Sequence, residues 1–114
     1  MPVEDDQFEK LRVELRRGSL VLAVLVALRE ERYGYTLRTS LEAAGLPIDE
    51  SALYPLLRRL ETQGLLTSQW REEAKRNKRF YRLSPEGLEI LAQLLAEWNA
   101  ISESIVRLTE EDSK

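Results

Sequence analysis

Apolar positions recur along the chain with different rhythms, and each rhythm predicts an element. Phe8, Leu11 and Leu15 return at steps of three and four among charged residues, the pattern of an amphipathic helix with one apolar stripe. Leu20 to Leu28 (LVLAVLVAL) has no polar face, so it predicts a helix buried at the centre of a domain, with Arg17-Gly18-Ser19 as the boundary between the two. A third helix opens at Gly34, carries Leu37, Leu41 and Ala44 on one side, and meets Gly45 where a left-handed C-terminal cap is wanted. A fourth takes Asp49 as its N-cap, with Ile48 placed to staple against Leu53. Leu53, Leu56, Leu57 and Leu60 form its buried stripe, and Gly64 stops it. Pro55 inside it forgoes a hydrogen bond to Ser51, which predicts a slight bend.

The rhythm then changes. LLTSQWRE and NKRFYRLS are rich in β-branched and aromatic residues and are separated by a few polar ones, which predicts a hairpin. Its tip holds no glycine, so Asn77 is the residue expected to take a left-handed conformation there. Ser84 as N-cap and Pro85 at the first helical position start the last helix. Along it Leu91, Leu94, Trp98, Ile101, Ile105 and Leu108 are spaced 3-4-3-4-3, a coiled-coil seam that Leu88, Leu95 and Val106 widen. Such a face is larger than its own domain requires, and homodimerisation is the economical explanation. The fold class expected is mainly α with a small β-hairpin, in a winged helix-turn-helix plan. The expected organisation is an N-terminal helix over 1–17 joining the dimer interface, a winged helix-turn-helix domain over 18–84, a dimerisation helix over 85–108 and a frayed tail over 109–114.

Composition narrows the chemistry. The 114 residues suit one small domain, and they include no cysteine and no histidine. That removes disulfides, thiolate chemistry and the commonest zinc ligands, and no cofactor is implied. No nucleophile–base spacing and no glycine-rich phosphate loop points to an enzyme. The acidic start MPVEDDQFEK does not resemble an export signal, and the longest apolar run, nine residues, is far short of the roughly twenty that span a bilayer. A cytoplasmic protein with no membrane partner is expected.

Charge adds the functional clue. The chain carries a net charge of −3, yet Glu72 to Leu83 (EEAKRNKRFYRL) gathers five cations. Any attraction to nucleic acid is therefore local. Ser51, Pro55, Arg58 and Thr62 recur on the side of the fourth helix opposite its leucines, with Tyr54 and Arg59 beside them. In a winged plan that helix enters a major groove of double-stranded operator DNA and the hairpin tip flanks it. Arg58 or Arg59 then reaches guanine edges, and Ser51 or Tyr54 bonds phosphate or base. An ordinary solvated face, or a winged-helix module that binds an acidic partner protein instead of DNA, fits the same periodicity.

The run SALYPLLRRLETQGLLTSQW, followed by KRFYRLSPEG and preceded by YGYTL, resembles the PadR family of bacterial transcriptional regulators from about Leu15 to Trp98. Leu53 to Glu61 (LYPLLRRLE) is its most family-specific piece. The resemblance implies a repressor whose recognition helix carries Tyr54, Arg58 and Arg59, with Tyr35 near the phosphate backbone and Lys75, Arg76, Lys78 and Arg79 on the wing. The single last helix is similar to the smaller PadR subgroup, which dimerises through its first and last helices. Ser51-Ala52 stands where the family usually has Gly-Thr, and the wing lacks the family's common glycines.

Trp98 carries two readings. By spacing alone it fills the dimer core, as aromatic residues in a helical stripe usually do. By resemblance to small PadR-like multidrug sensors, Glu97-Trp98 marks a tryptophan that stacks a planar aromatic effector between the subunits, with Phe8, Leu11, Leu15, Leu94 and Leu95 lining the space.

Overall fold

The computed structural model describes residues 2 to 112, with side chains from 6 to 111. The elements in order are α1 (Pro2–Ala27), β1 (Arg32–Tyr33), α2 (Gly34–Ala43), α3 (Glu50–Thr62), β2 (Leu66–Glu73), β3 (Arg76–Leu83) and α4 (Pro85–Asp112). The sheet is antiparallel in the order β1-β3-β2. This is the expected winged helix-turn-helix class, with one strand more than the hairpin alone supplies.

The core forms where the apolar rhythms converge. Val24 and Leu25 of α1 and Leu28 just after it are buried against Leu37 and Leu41 of α2, Leu53, Leu57 and Leu60 of α3, Leu66, Tyr81 and Leu83 of the sheet, and Leu91 of α4. Each fully buried leucine contributes about 1.5–3 kcal/mol. Leu56 and Ile48 pack at the edge of this cluster, while Ala44 is exposed.

Where α1 was expected to break, it does not. A single helix runs through Arg17, Gly18 and Ser19, so the two N-terminal helices read from the sequence are one. A mid-helix glycine costs only about 1 kcal/mol, less than the packing on its C-terminal side returns. The helix ends where Arg32 Nε donates to the carbonyl of Ala27 at 2.9 Å. On the way it is braced to α2, since Arg16 donates to the carbonyl of Gly45 at 3.0 Å.

The next two helices end alike. Gly45 (φ +83°) and Gly64 (φ +82°) take left-handed backbones. Leu46 N–H then reaches the carbonyl of Leu41 at 2.9 Å, and Leu65 N–H that of Leu60 at 3.0 Å, the bonds of a Schellman cap. Asp49 does stand at the N-cap of α3, but its side chain makes no capping bond; its backbone carbonyl starts the helix instead. Arg38 of α2 pairs with Glu50 at 2.6 Å across the turn and holds the two helices at their angle.

The wing corrects a second expectation. Glu73 pairs directly with Arg76, so the hairpin loop has two residues, and Ala74 (φ +53°) and Lys75 (φ +65°) both take left-handed backbones. Positive φ at both central positions is the type I′ form of a two-residue loop, whose twist matches that of the flanking strands. Asn77 lies instead in β3, opposite Glu72.

Ser84 caps α4 as expected. Its Oγ accepts from Gly87 N–H at 2.9 Å and donates to the carbonyl of Gly64 at 2.6 Å. The helix continues through residues 109–112, where a frayed tail was anticipated; Ser113 and Lys114 lie outside the described residues. Among the described residues no helix is long and apolar enough to cross a membrane.

Candidate nucleic-acid interface

The start of α2, the outer side of α3 and the wing enclose an open concavity of about 490 Å³. Tyr33, Gly34, Tyr35, Tyr54, Arg58, Trp70, Arg76, Asn77, Lys78, Arg79 and Tyr81 line it. Tyr54 follows the buried Leu53 and so stands on the flank of α3, where its hydroxyl reaches back to Gly34. Thr36 fixes the start of α2, its hydroxyl accepting from Tyr33 N–H at 3.1 Å and donating to the Tyr33 carbonyl at 3.0 Å. The Tyr33 ring meets Phe80 edge-on at 5.3 Å, which ties β1 to the wing. Burial raises the pKa of the Tyr81 phenol, with nearby Arg79 opposing the shift.

Strand alternation sorts the wing's cations into distinct groups. Lys78 lies over the Tyr33 ring, 4.3 Å from its centroid, and donates to Tyr33 Oη at 3.3 Å and to Glu73 at 3.2 Å. The bond to Tyr33 is the foremost reason its pKa is raised. Arg79, pointing toward α3, donates to Glu61 at 2.8 Å and to Ser68 at 2.9 Å. Arg71 stacks over Phe80 and pairs with Glu31 at 2.6 Å. Lys75 and Arg76 at the tip, and Arg58 and Arg59 on α3, differ from these. Among the described residues their exposed side chains make no hydrogen bond or ion pair. Tyr35 and Ser51 are exposed beside them. The structure thus brings Tyr35, Tyr54, Arg58, Arg76, Lys78 and Arg79 to one cleft, with Ser51, Arg59 and Lys75 outside its lining.

A second concavity, of about 850 Å³, opens between α1, α2 and α4. Leu22, Ala23 and Val26 of α1, Leu41 of α2 with Ala44 just after it, and Leu95 and Trp98 of α4 line it, together with the polar Ser19, Arg29, Glu30, Arg32 and Ser40. Trp98 and Leu95, two of the residues expected to line an effector space between subunits, lie along this groove within the protomer. Phe8, Leu11, Leu15 and Leu94 lie outside this groove and are exposed, the first three on the N-terminal half of α1. The lining residues of α1 escaped the sequence reading because their apolar run had been assigned wholly to the core. Alanines at 23, 27 and 44 are the signal that space is left there.

The seam on α4 divides as well. Leu91 is buried in the protomer's own core, whereas exposure rises from 39% at Leu94 through 47% at Ile101 to 60% at Leu108.

The profile described as "Transcriptional regulator PadR-like family" matches residues 21–93. The chain belongs to that family. It is 36% identical to the transcriptional regulator Rv3488 of Mycobacterium tuberculosis over 81 residues, 70% of this chain and 76% of that one. Among solved structures it is similar to a PadR family transcriptional regulator from Eggerthella lenta, with 43% identity and a TM-score of 0.91 over 96% of this chain and 98% of the other. A PadR-like transcriptional regulator from Bacillus cereus is similar at 28% identity and a TM-score of 0.75, covering 83% of this chain and 95% of the other. The PadR-like domain is one of transcriptional regulators, not of enzymes. The near-complete overlap with the E. lenta protein includes the long helices as well as the winged head, so the arms belong to the shared fold.

Proposed function

We propose that this PadR-like chain is a cytoplasmic, dimeric repressor that grips operator DNA with α3 and the wing of each protomer. A flat aromatic molecule bound at the dimer interface releases it. One observation carries the DNA-binding part: in a chain of net charge −3, the exposed cations without intramolecular bonds at Arg58, Arg59, Lys75 and Arg76 flank one aromatic-lined cleft beside α3. Arg58 and Arg59 read guanine edges in the major groove, Lys75 and Arg76 meet phosphates at its margin, and Tyr35, Ser51 and Tyr54 bond the backbone or base edges. Two heads then engage half-sites about 34 Å apart.

Dimerisation is supported by the exposed apolar residues of α4 (Leu94, Trp98, Ile101, Ile105, Leu108) together with Phe8, Leu11 and Leu15 of α1. For the effector, Trp98 and Leu95 offer a stacking face at the mouth of the larger groove. A ligand there acts only if it binds the two head arrangements unequally.

The deciding experiment is a salt series of binding to a duplex the protein selects from a random-sequence pool. Affinity falls with a slope of about 0.9 per phosphate neutralised, and the pair Lys75→Ala with Arg76→Ala, which removes four cations from the dimer, flattens that slope by roughly 3.6. Arg58→Ala costs about 1–3 kcal/mol and relaxes the preference at one base pair. A parent protein that retains no duplex at any salt returns the chain to the protein-interaction reading.

A further inference from the structure

The sequence places Arg79 among the wing cations that touch DNA, but its guanidinium is already committed. Its Nε donates to Ser68 Oγ at 2.9 Å and its Nη2 to Glu61 Oε1 at 2.8 Å. Ser68 Oγ–H closes the ring by donating to Glu61 Oε2 at 2.5 Å. Both carboxylate oxygens and the Nε–Nη2 edge of the guanidinium are thus used. The rings of Trp70 and Tyr81 stand 5.7 and 5.5 Å from the guanidinium carbon. About a third of the Arg79 side chain and 28% of that of Glu61 remain exposed, so water competes only partly.

We propose that Glu61, Ser68 and Arg79 form a clasp that sets the angle between the recognition helix and the wing, and that Arg79 is a positioning residue, not a phosphate contact. This rests on the DNA-binding reading above. Glu61 belongs to the last turn of α3, Ser68 to the start of β2 and Arg79 to β3, so the two bonds to Glu61 span the turn around Gly64 between helix and wing, and the third joins the two strands. The wing tip at Ala74 and Lys75 lies six residues beyond Ser68, roughly 20 Å at 3.3 Å per residue. A change of about 10° at the clasp therefore displaces the tip cations by about 3 Å, a full hydrogen-bond length.

The two roles predict opposite signs for Glu61. If Arg79 met phosphate, removing an acid beside it would free the guanidinium and tighten binding. If it holds the wing, the same change loosens it.

The DNA measurements use the natural full chain as the parent with the pool-selected duplex, and the quenching measurement adds Trp98→Phe so that Trp70 is the one tryptophan. Glu61→Gln is expected to weaken DNA binding about tenfold, the size of a network coupling. Arg79→Ala matches it, and the double variant is no worse than the worse single. Arg79→Lys keeps the charge but not the fork and loses as much as alanine. All keep the parent's salt slope. Without DNA, Glu61→Gln and Arg79→Lys, checked as folded by circular dichroism, make Trp70 more open to acrylamide quenching.

Tighter or unchanged binding in Glu61→Gln overturns the clasp, as does parent-like affinity in Arg79→Lys, a slope flattened by about two in Arg79→Ala (one contact per protomer), or unchanged Trp70 quenching. A parent that binds no duplex overturns the DNA-binding reading alone; the Trp70 measurement then decides the clasp by itself.

Discussion

The hydroxyl of Tyr54 on α3 occupies the space that a β-carbon on Gly34 would take at the start of α2, well inside contact distance. Gly34 is required there for close approach and not for backbone freedom. Gly34→Ala pushes the Tyr54 ring out of the cleft and costs about 1–3 kcal/mol, the usual range for overpacking. Denaturant unfolding measures the loss. Tyr54→Phe in the same chain restores part of it by removing the overlapping oxygen; no recovery would mean that the strain lies elsewhere.

Ile105 is 55% exposed on α4 and lies outside the core cluster. Ile105→Glu is expected to give a folded monomer, seen by sedimentation, whose helical circular dichroism spectrum is that of the parent. Its affinity for the selected duplex falls by a hundredfold or more, on the order of the effective-concentration gain of linking two half-site contacts. A variant that stays dimeric removes the α4 seam from the interface.

Trp98 rims the groove between α1, α2 and α4. Proflavine, a planar aromatic cation, is expected to quench tryptophan emission strongly in the parent and much less in Trp98→Ala, leaving the weaker signal of Trp70. Equal quenching in the two proteins rules out stacking at this position.

With no histidine and no cysteine, no side chain has its ordinary titration between pH 5 and 8, so melting temperature and DNA affinity are expected to stay level from about pH 6 to 8. The change comes in alkali. Lys78 is held above its ordinary 10.5, foremost by its bond to the Tyr33 hydroxyl. Tyr81 is held above its ordinary 10.0, foremost by burial. Both bind their proton more tightly folded than unfolded. The stability they contribute is complete below about pH 10 and is lost as pH rises through the folded values. Tyr81→Phe makes the decline in melting temperature above that pH shallower; an unchanged decline would assign it to other groups.

Much of this fold was readable wherever one residue's neighbours along the chain decide its state. The leucines of α3, the glycines that end α2 and α3, and the Ser84 cap all act over four or five residues, and each holds in the structure. The features missed are those fixed by distant partners. β1 has only two residues, too few for any periodicity, and exists because Arg32 and Tyr33 pair with Tyr81 and Phe80. Ala74 and Lys75 adopt left-handed backbones against their own preference because strand register leaves just two positions for the loop. Gly87 appears as part of a helix start, yet a β-carbon there would strike the carbonyl of Leu65. The bond from Arg79 to Glu61 crosses 18 positions of sequence, and nothing local distinguishes that arginine from the unpaired Arg76 three residues before it.

Because α1 passes through Gly18 without a joint and is bolted to α2 at Arg16, arm and head lack a swivel between them. A paired molecule built this way acts as a fixed-gauge caliper. Inserting or deleting a base pair between the two halves of its target should be tolerated poorly, since no flexible link exists to absorb the added length and rotation.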